Sequence, residues 1–141
     1  MKRQVIIDTG PLVAFLSEKD VHHHWVTRQM GNIQTPLLTC EAVISEACFL
    51  LKRHAHEKAD AVLELIDINW MTVPFFLGDN ERKDIRRLMV KYANVPMSFA
   101  DACLVKMNEQ YPKSVVLTLD SDFLIYRRYG NQPIPTIMPY D

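Results

Sequence analysis

Acidic residues at the ends of predicted strands are the first candidates for chemistry in this sequence. Asp8 directly follows the β-branched run at residues 5–7, and Asp120 directly follows the apolar run at residues 115–119. In an open parallel sheet, ligands bind in the crevice beyond the carboxyl ends of the strands. If these two strands are neighbours, their carboxylates come within a few ångströms of each other. For either residue alone, capping of the following helix is an alternative explanation.

A third carboxylate lies on the strongest predicted helix, over residues 39–53. Glu46 is three residues after Val43 and four before Leu50, so it is expected on the apolar stripe that faces the sheet. A carboxylate there is costly to desolvate unless a cation or hydrogen-bond donors meet it. The alternative is that Glu46 lies at the margin of the stripe and reaches solvent. Glu41 is rotated from Glu46 by about 140° and should point elsewhere.

The fourth carboxylate, Asp101, stands in the first turn of a predicted helix over residues 98–108. Together with Ser98 it resembles a capping box, which explains Asp101 on local grounds. Each carboxylate alone has a local explanation, but four of them on different elements that face one edge of the sheet are better explained by a shared site. Grouped hard oxygen ligands select Mg²⁺ or Mn²⁺, and such ions support phosphodiester hydrolysis. The sequence therefore predicts a divalent-metal site that contains Asp8, Glu46, Asp101 and Asp120.

The elements that would position these residues alternate between short apolar runs and amphipathic stretches. We expect strands at residues 5–7, 71–73 and 115–119 and an edge strand within 133–139. We expect helices at residues 11–16, 39–53, 55–66, 79–92 and 98–108, a helix-compatible stretch at 20–30, and a connection through 34–36. Strands separated by helices predict right-handed βαβ units, and hence an α/β sandwich around a mostly parallel sheet.

Length and composition limit the class of protein. The 141 residues fit one domain over residues 1–141, and 48% hydrophobic with 23% charged residues excludes disordered, collagen-like and coiled-coil chains. A net charge of −1 means that any nucleic-acid site is a local patch. Three cysteines within apolar runs predict reduced, buried thiols. Because we find neither a signal peptide nor an apolar run of about 20 residues, we expect a soluble, cytoplasmic protein with no membrane contact.

The sequence resembles the PIN-domain nuclease family, in particular its VapC-type toxin ribonucleases. The segments that carry the resemblance, in the family's order, are VIIDTGPLVAFL, TCEAVISEACFLL, VPMSFADACLV and VVLTLDSDF. The resemblance implies a PIN-like, Rossmann-like α/β/α sandwich with about five parallel strands and an acidic pocket for Mg²⁺ or Mn²⁺. It places Asp8, Glu46, Asp101 and Asp120 at the metal positions. It adds Asp122 as an acidic neighbour and, behind the ligands, the hydroxyls of Thr9, Ser98 and Thr118.

The function that the resemblance implies is metal-dependent endoribonuclease activity on structured RNA, often transfer RNA. VapC-type toxins are held inactive by a partner antitoxin and are commonly homodimers. We therefore expect an antitoxin protein and a second copy of this chain as partners. Asn94 departs from the pattern, because relatives often carry an acid there. An alternative from another class is a catalytically silent module on the same fold that binds RNA or a protein partner.

A basic helix face is the candidate for contact with RNA phosphates. Lys83, Arg87 and Lys91 recur at spacings of four, with Arg86 alongside. The alternative is an ordinary solvated face. The histidines at 22–24, 54 and 56 are interpreted as surface residues, since nothing nearby completes a zinc ligand set. The aromatic residues expected in the core or an interface are Trp25, Trp70, Phe75 and Phe76.

Overall fold

A five-stranded parallel sheet organises the chain. The computed structural model describes residues 2–56 and 58–139. The strands are β1 (Arg3–Ile7), β2 (Ile33–Leu38), β3 (Met71–Thr72), β4 (Val115–Leu117), β5 (Arg127–Arg128), β6 (Gln132–Pro133) and β7 (Thr136–Ile137). The strand order in the sheet is β3-β2-β1-β4-β7, and every pairing in it is parallel. A separate antiparallel pair, β5 and β6, was not predicted.

Within residues 2–56 and 58–139, six α-helices connect and cover the strands. They are α1 (Thr9–Leu16), α2 (His23–Gln29), α3 (Glu41–Leu50), α4 (Ala61–Asp67), α5 (Asp79–Lys91) and α6 (Phe99–Gln110). A π-helical turn over Leu51–Ala55 extends α3, and His56 ends it with a left-handed φ of 52°. The helix predicted from residue 55 therefore begins only at Ala61. Among the helices of residues 2–56 and 58–139, none combines the length and hydropathy needed to span a bilayer.

The order of the strands creates a switch point between β1 and β4. The chain runs outward from β1 through β2 to β3, then returns through α5 and α6 to β4 on the other side of β1. Right-handed crossovers in opposite directions place the two sets of helices on opposite faces. This is the predicted α/β/α sandwich. A crevice opens beyond the carboxyl ends of two strands where the order reverses, here β1 and β4.

The core lies along these two central strands. Val5, Ile6 and Ile7 of β1 are fully buried, as is Leu117 of β4, because both faces of a parallel sheet are covered. Trp25 and Trp70, which were expected in the core or an interface, are partly buried and pack against the core. Phe75 packs there too, whereas Phe76 is 81% exposed. Cys40 and Cys103 are buried free thiols, as predicted, and Cys48 is half-buried.

The prediction that residues 34–36 form a connection is wrong, because they belong to β2. Pro36 is unexpected in a central strand, since a proline cannot donate to a ladder hydrogen bond. In the structure the β1–β2 register is irregular between the pairs Gln4–Gln34 and Ile6–Leu38. Between these two pairs the chain advances by two positions in β1 but by four positions in β2. The proline lies in this irregularity, where a missing N–H is tolerated.

The central strand β4 ends two residues earlier than predicted, at Leu117. Thr118 still donates its backbone N–H to the Ile137 carbonyl, at 3.2 Å. Beyond it, the chain leaves the sheet edge and turns into a 3-10 helix over Ser121–Leu124. Asp120 therefore follows a two-residue extension rather than the strand itself. The predicted edge strand is confirmed as β7, which pairs in parallel with β4.

Candidate active site

One cavity gathers the four predicted carboxylates at the switch point of the sheet. It measures about 460 Å³ and lies beyond the ends of β1 and β4. Four different elements contribute the acids: the ends of β1 and β4 and the helices α3 and α6. We call it the acidic cavity. Its lining residues are Asp8, Thr9, Gly10, Glu46, Leu50, Asp101, Leu119, Asp120 and Ser121.

Asp8 is the deepest of the four, with only 7% of the residue exposed. As the N-cap of α1, it accepts a hydrogen bond from the Thr9 backbone N–H through Oδ1, at 2.7 Å. Its Oδ2 accepts from the Thr118 hydroxyl, also at 2.7 Å. The capping alternative is therefore correct, and it does not compete with a place in the cavity. Capping fixes one oxygen, while Thr118 fixes the other.

A chain of hydrogen bonds continues from Asp8 along the end of β4. The Thr118 hydroxyl oxygen accepts from the Asp120 backbone N–H at 3.0 Å. Asp120 Oδ1 in turn accepts from the Asp122 backbone N–H at 2.9 Å, which caps the 3-10 helix. Asp122 itself is not among the residues that line the cavity. Its contribution to the arrangement is the backbone N–H that holds Asp120.

Asp101 is held from two sides. The Ser98 hydroxyl oxygen accepts from the Asp101 backbone N–H at 3.0 Å, as expected for the N-cap of α6. The Tyr126 hydroxyl donates to Asp101 Oδ2 at 2.8 Å. Ser98 does not line the acidic cavity but a neighbouring groove between α3 and α6.

Glu46 differs from its prediction. The buried ridge of α3 consists of Val43 and Ala47 and continues to Leu51, whereas Glu46 is exposed. Its assignment to the stripe that faces the sheet is wrong, because one residue before Ala47 means a rotation of about 100° from that ridge. The margin alternative is correct. At that margin the helix borders the acidic cavity, so Glu46 still lines it.

Burial and mutual repulsion shape the electrostatics of the cavity. Desolvation raises the pKa of Asp8 from 3.8 to about 7, against the hydrogen bonds from Thr118 and Thr9, and the charges of Asp101 and Asp120 raise it further. Burial likewise raises the pKa of Asp101, while the Tyr126 hydrogen bond lowers it. An added cation would relieve both effects.

Several lining residues were missed by the sequence reasoning. Leu50 and Leu119 form apolar walls, and neither carries a chemical signal of its own. Gly10 allows a close approach, because an added Cβ would stand 3.3 Å from Leu119 Cδ1. Tyr126, which does not line the cavity but donates to Asp101, was also missed, because this contact depends on tertiary packing and leaves no signal in the sequence. Burial raises the pKa of Tyr126, and its hydrogen bond to Asp101 raises it further, so the phenol remains a neutral donor.

The comparisons with known proteins identify the family. The PIN domain family matches residues 5–129 of the chain. The chain belongs to the PIN domain family. Members of this family are nucleases. No curated protein shows a significant match to the chain.

A solved structure supports the fold of this PIN domain. The crystal structure of Mycobacterium tuberculosis VapC20, described as a sarcin-ricin loop cleaving toxin, matches with a TM-score of 0.73. The match covers 84% of this chain and 92% of that chain, at 18% sequence identity. At such identity the likeness concerns the fold alone.

The donor set of the PIN domain fits a hydrated divalent cation better than a directly caged one. In residues 2–56 and 58–139, no three His, Cys, Asp or Glu side chains are grouped closely enough to hold an ion. Mg²⁺, however, keeps several waters and binds through one or two carboxylates. The Thr9 hydroxyl is buried and has no hydrogen-bond partner among the described residues, so a polar group is available beside Asp8. We therefore regard the residues as compatible with Mg²⁺ or Mn²⁺.

The basic face of the PIN domain lies along α5. Lys83, Arg86, Arg87 and Lys91 are all exposed and line one open cavity of about 460 Å³. Arg87 is 3.4 Å from Asp84, an exposed pair of little energetic weight. Lys91 donates to the Gly130 carbonyl at 2.6 Å. The four cations thus share one surface, which we call the α5 basic face.

Burial of Asp8 predicts a pH-dependent stability in chelator. Because its pKa is about 7 in the folded protein and 3.8 ordinarily, the unfolded chain releases this proton first as the pH rises. The free energy of unfolding therefore falls between about pH 4 and about pH 7, by roughly 4 kcal/mol for this group. The Asp8→Asn variant has no carboxyl group at this position and therefore lacks this fall. Its free energy of unfolding, relative to that of wild type, should rise between about pH 4 and about pH 7. Urea unfolding at several pH values measures the difference.

The matched control is Asp60→Asn, which removes a carboxylate from an exposed position. Its stability difference from wild type should stay nearly constant over the same range. A difference for Asp8→Asn that does not change with pH would show that the pKa of Asp8 in the native state is not raised above its ordinary value.

Proposed function

We propose that this PIN domain is a divalent-metal-dependent endoribonuclease that hydrolyses phosphodiester bonds. The observation that carries the proposal is the meeting of Asp8, Glu46, Asp101 and Asp120 around one open cavity. Each acid comes from a different element, and three are held by hydrogen bonds that fix their oxygens. A fold that needed only N-caps would have no reason to converge them, since carboxylates at close range repel each other.

The four acids that line the cavity would hold the cation between them. They are Asp8, Glu46, Asp101 and Asp120, and Asp122 would act through Asp120. When bound, the ion would activate water and stabilise charge on the phosphate and the leaving oxygen. Thr118 holds Asp8 and Asp120 in register, and the apolar side chains of Leu50 and Leu119 limit the access of bulk water.

The substrate we propose is RNA, contacted through its phosphates by the α5 basic face. A chain with a net charge of −1 does not attract a polyanion as a whole, so a local cluster of cations is needed. Glu46 and the other acids repel phosphate unless a cation is present. Binding and catalysis are therefore assigned to different surfaces of the molecule.

We further propose that the protein is the VapC-type toxin of a type II toxin–antitoxin pair that acts in the cytoplasm and is held inactive by a partner antitoxin. The similarity in fold to VapC20, a toxin, supports this assignment. The second candidate is a catalytically silent module that binds RNA or a protein partner. The absence of a preformed three-ligand cluster in the described residues favours that candidate; a hydrated ion needs no such cluster.

A homodimer is the expected assembly, and the groove between α3 and α6 is the surface we assign to it. The groove measures about 560 Å³. Phe49 is 55% exposed and Phe99 is 43% exposed, and both line this groove, so two large apolar side chains share one exposed surface. A two-fold contact joins the same patch of both subunits. The other residues that line the groove are Ala42, Ser45, Glu46, Ser98 and Ala100.

Purified protein should cleave RNA with Mg²⁺ or Mn²⁺ and lose the activity in chelator. Asp8→Asn and Asp101→Asn should each reduce the rate by about 10²-fold or more, because a positioned ion contributes several kcal/mol and about 1.4 kcal/mol is tenfold in rate. Cleavage of end-labelled RNA, with circular dichroism to verify folding, measures the effect.

The paired controls lie on one helix. Glu46→Gln should lower the rate, whereas Glu41→Gln should not, since Glu41 is exposed and does not line the cavity. Full activity in chelator would exclude the metal-dependent mechanism. RNA binding without any cleavage by wild type, at saturating metal, would favour the silent module.

Replacing Lys83, Arg87 and Lys91 together by alanine should weaken RNA binding and its dependence on salt. With about 0.7 counterions released per phosphate contact on single strands, the slope of log K against log salt should fall by about 2. Binding is measured in the Asp8→Asn background to prevent cleavage. A triple control, Lys2, Lys58 and Lys113 to alanine, removes the same charge from other exposed positions. Equal slopes for both triple variants would make the α5 basic face an ordinary solvated one.

Phe49→Ser and Phe99→Ser should each convert a dimer into a monomer in light scattering at micromolar concentration. Truncating a central aromatic anchor commonly costs more than 2 kcal/mol of binding free energy. Phe76→Ser is the control. This residue is 81% exposed, but it follows β3 and precedes α5 in the chain and does not line the groove. An unchanged mass with lost RNA binding would instead assign the groove to base stacking.

A further inference from the structure

Tyr126 is a buried tyrosine that does not line the acidic cavity but whose hydroxyl contacts Asp101, a residue that does. Tyr126 is fully buried, and its hydroxyl donates to Asp101 Oδ2 at 2.8 Å. Asp101 is on α6, whereas Tyr126 follows the 3-10 helix that begins next to Asp120. This hydrogen bond therefore connects the two segments that carry two of the cavity's carboxylates.

The position of the Tyr126 hydroxyl is determined by packing on two sides of its ring. The ring makes edge contacts with Tyr92 and Phe123, with both centroid distances at 5.1 Å. The backbone is held as well, because its N–H donates to the Asp122 carbonyl at 3.1 Å. Its own carbonyl accepts from Arg127 Nη1 at 3.0 Å. Neither the ring nor the backbone can shift without breaking these contacts.

We propose that Tyr126 is a positioning residue that fixes the Asp101 carboxylate relative to Asp120 and thereby sets the affinity of the acidic cavity for a divalent cation. The inference rests on the proposed metal-dependent function. It adds to that function a residue, Tyr126, that is not one of the four carboxylates of the acidic cavity. A carboxylate on a half-buried helix turn can rotate about its side-chain torsions. A fixed donor on one oxygen removes that freedom, and partners behind metal ligands commonly contribute about 10- to 100-fold in affinity or activity.

The chain offers a matched control in the same aromatic cluster. Tyr92 is also buried, packs edge-on against Tyr126, and uses its hydroxyl for one hydrogen bond, accepting from the Arg127 backbone N–H at 2.9 Å. Tyr126→Phe and Tyr92→Phe thus remove the same atom from the same cluster. Only Tyr126→Phe removes a contact to a carboxylate of the cavity.

The test is a titration of the full-length protein with Mn²⁺ alone, followed by thermal shift and by calorimetry, with RNA cleavage measured in parallel. We expect the binding midpoint of Tyr126→Phe to rise about tenfold or more, with Tyr92→Phe within about twofold of wild type. The change should vanish in the Asp101→Asn background, since Tyr126 acts through Asp101. A merely structural role would lower the melting temperature of both tyrosine variants without moving the midpoint.

Other outcomes separate the inference from the proposed function. If wild type does not bind Mn²⁺, the metal-dependent function fails, and the inference fails with it. If wild type binds and Tyr126→Phe binds equally well, the inference alone is overturned. A Tyr126→Phe protein that does not fold also overturns it, because the hydroxyl would then serve the fold rather than the cavity.

Discussion

The burial of the Asp8 carboxylate is the constraint on which the rest of the site depends. A carboxylate that is 7% exposed must be met by donors or by a cation, since desolvation of an unpaired charge is expensive. The backbone of α1 supplies one donor, and Thr118 supplies the other from the neighbouring strand. The hydrogen bond between Thr118 and Asp8 joins residues 110 positions apart in the chain. It therefore requires β1 and β4 to be adjacent, which only the strand order of the whole sheet provides.

The same adjacency explains why the acids converge where they do. A switch point in a parallel sheet leaves a crevice that no crossover helix covers, and Asp8 and Asp120 flank it. The helices α3 and α6 border the crevice and add Glu46 and Asp101. Two of the hydrogen bonds that place these acids come from backbone N–H groups of Thr9 and Asp122. The geometry of the site thus depends on these backbone donors as well as on the side-chain hydroxyls of Thr118 and Tyr126.

Much of this arrangement could be predicted from the sequence, and the failures have physical causes. The apolar runs at β1 and β4 identified the central strands, because a buried parallel strand has no polar face. β2 was missed because a proline is excluded from a regular ladder, and the sequence carries no sign of the irregular register that accommodates it. Glu46 was placed on the wrong side of its helix because a rotation of one residue separates the buried ridge from the margin. Tyr126 was missed because its contact with Asp101 depends on tertiary packing.

The four carboxylates form a gradient of exposure that bears on how a cation would enter. Asp8 is buried, Asp101 and Asp120 are half-buried, and Glu46 is exposed at the rim. The deep acid is fixed by hydrogen bonds, while an exposed side chain keeps its rotamer freedom. An ion that keeps part of its hydration shell can meet the fixed acids first and the rim acid last, so the site need not be fully assembled beforehand. Four acids can therefore surround one cavity although, among the described residues, no three of them are close enough together to form a cage. A rigid cage would add electrostatic repulsion to a cavity in which the pKa of Asp8 is already raised to about 7. The open arrangement avoids this additional repulsion in the ion-free protein, and under the proposed function a bound cation would complete the site.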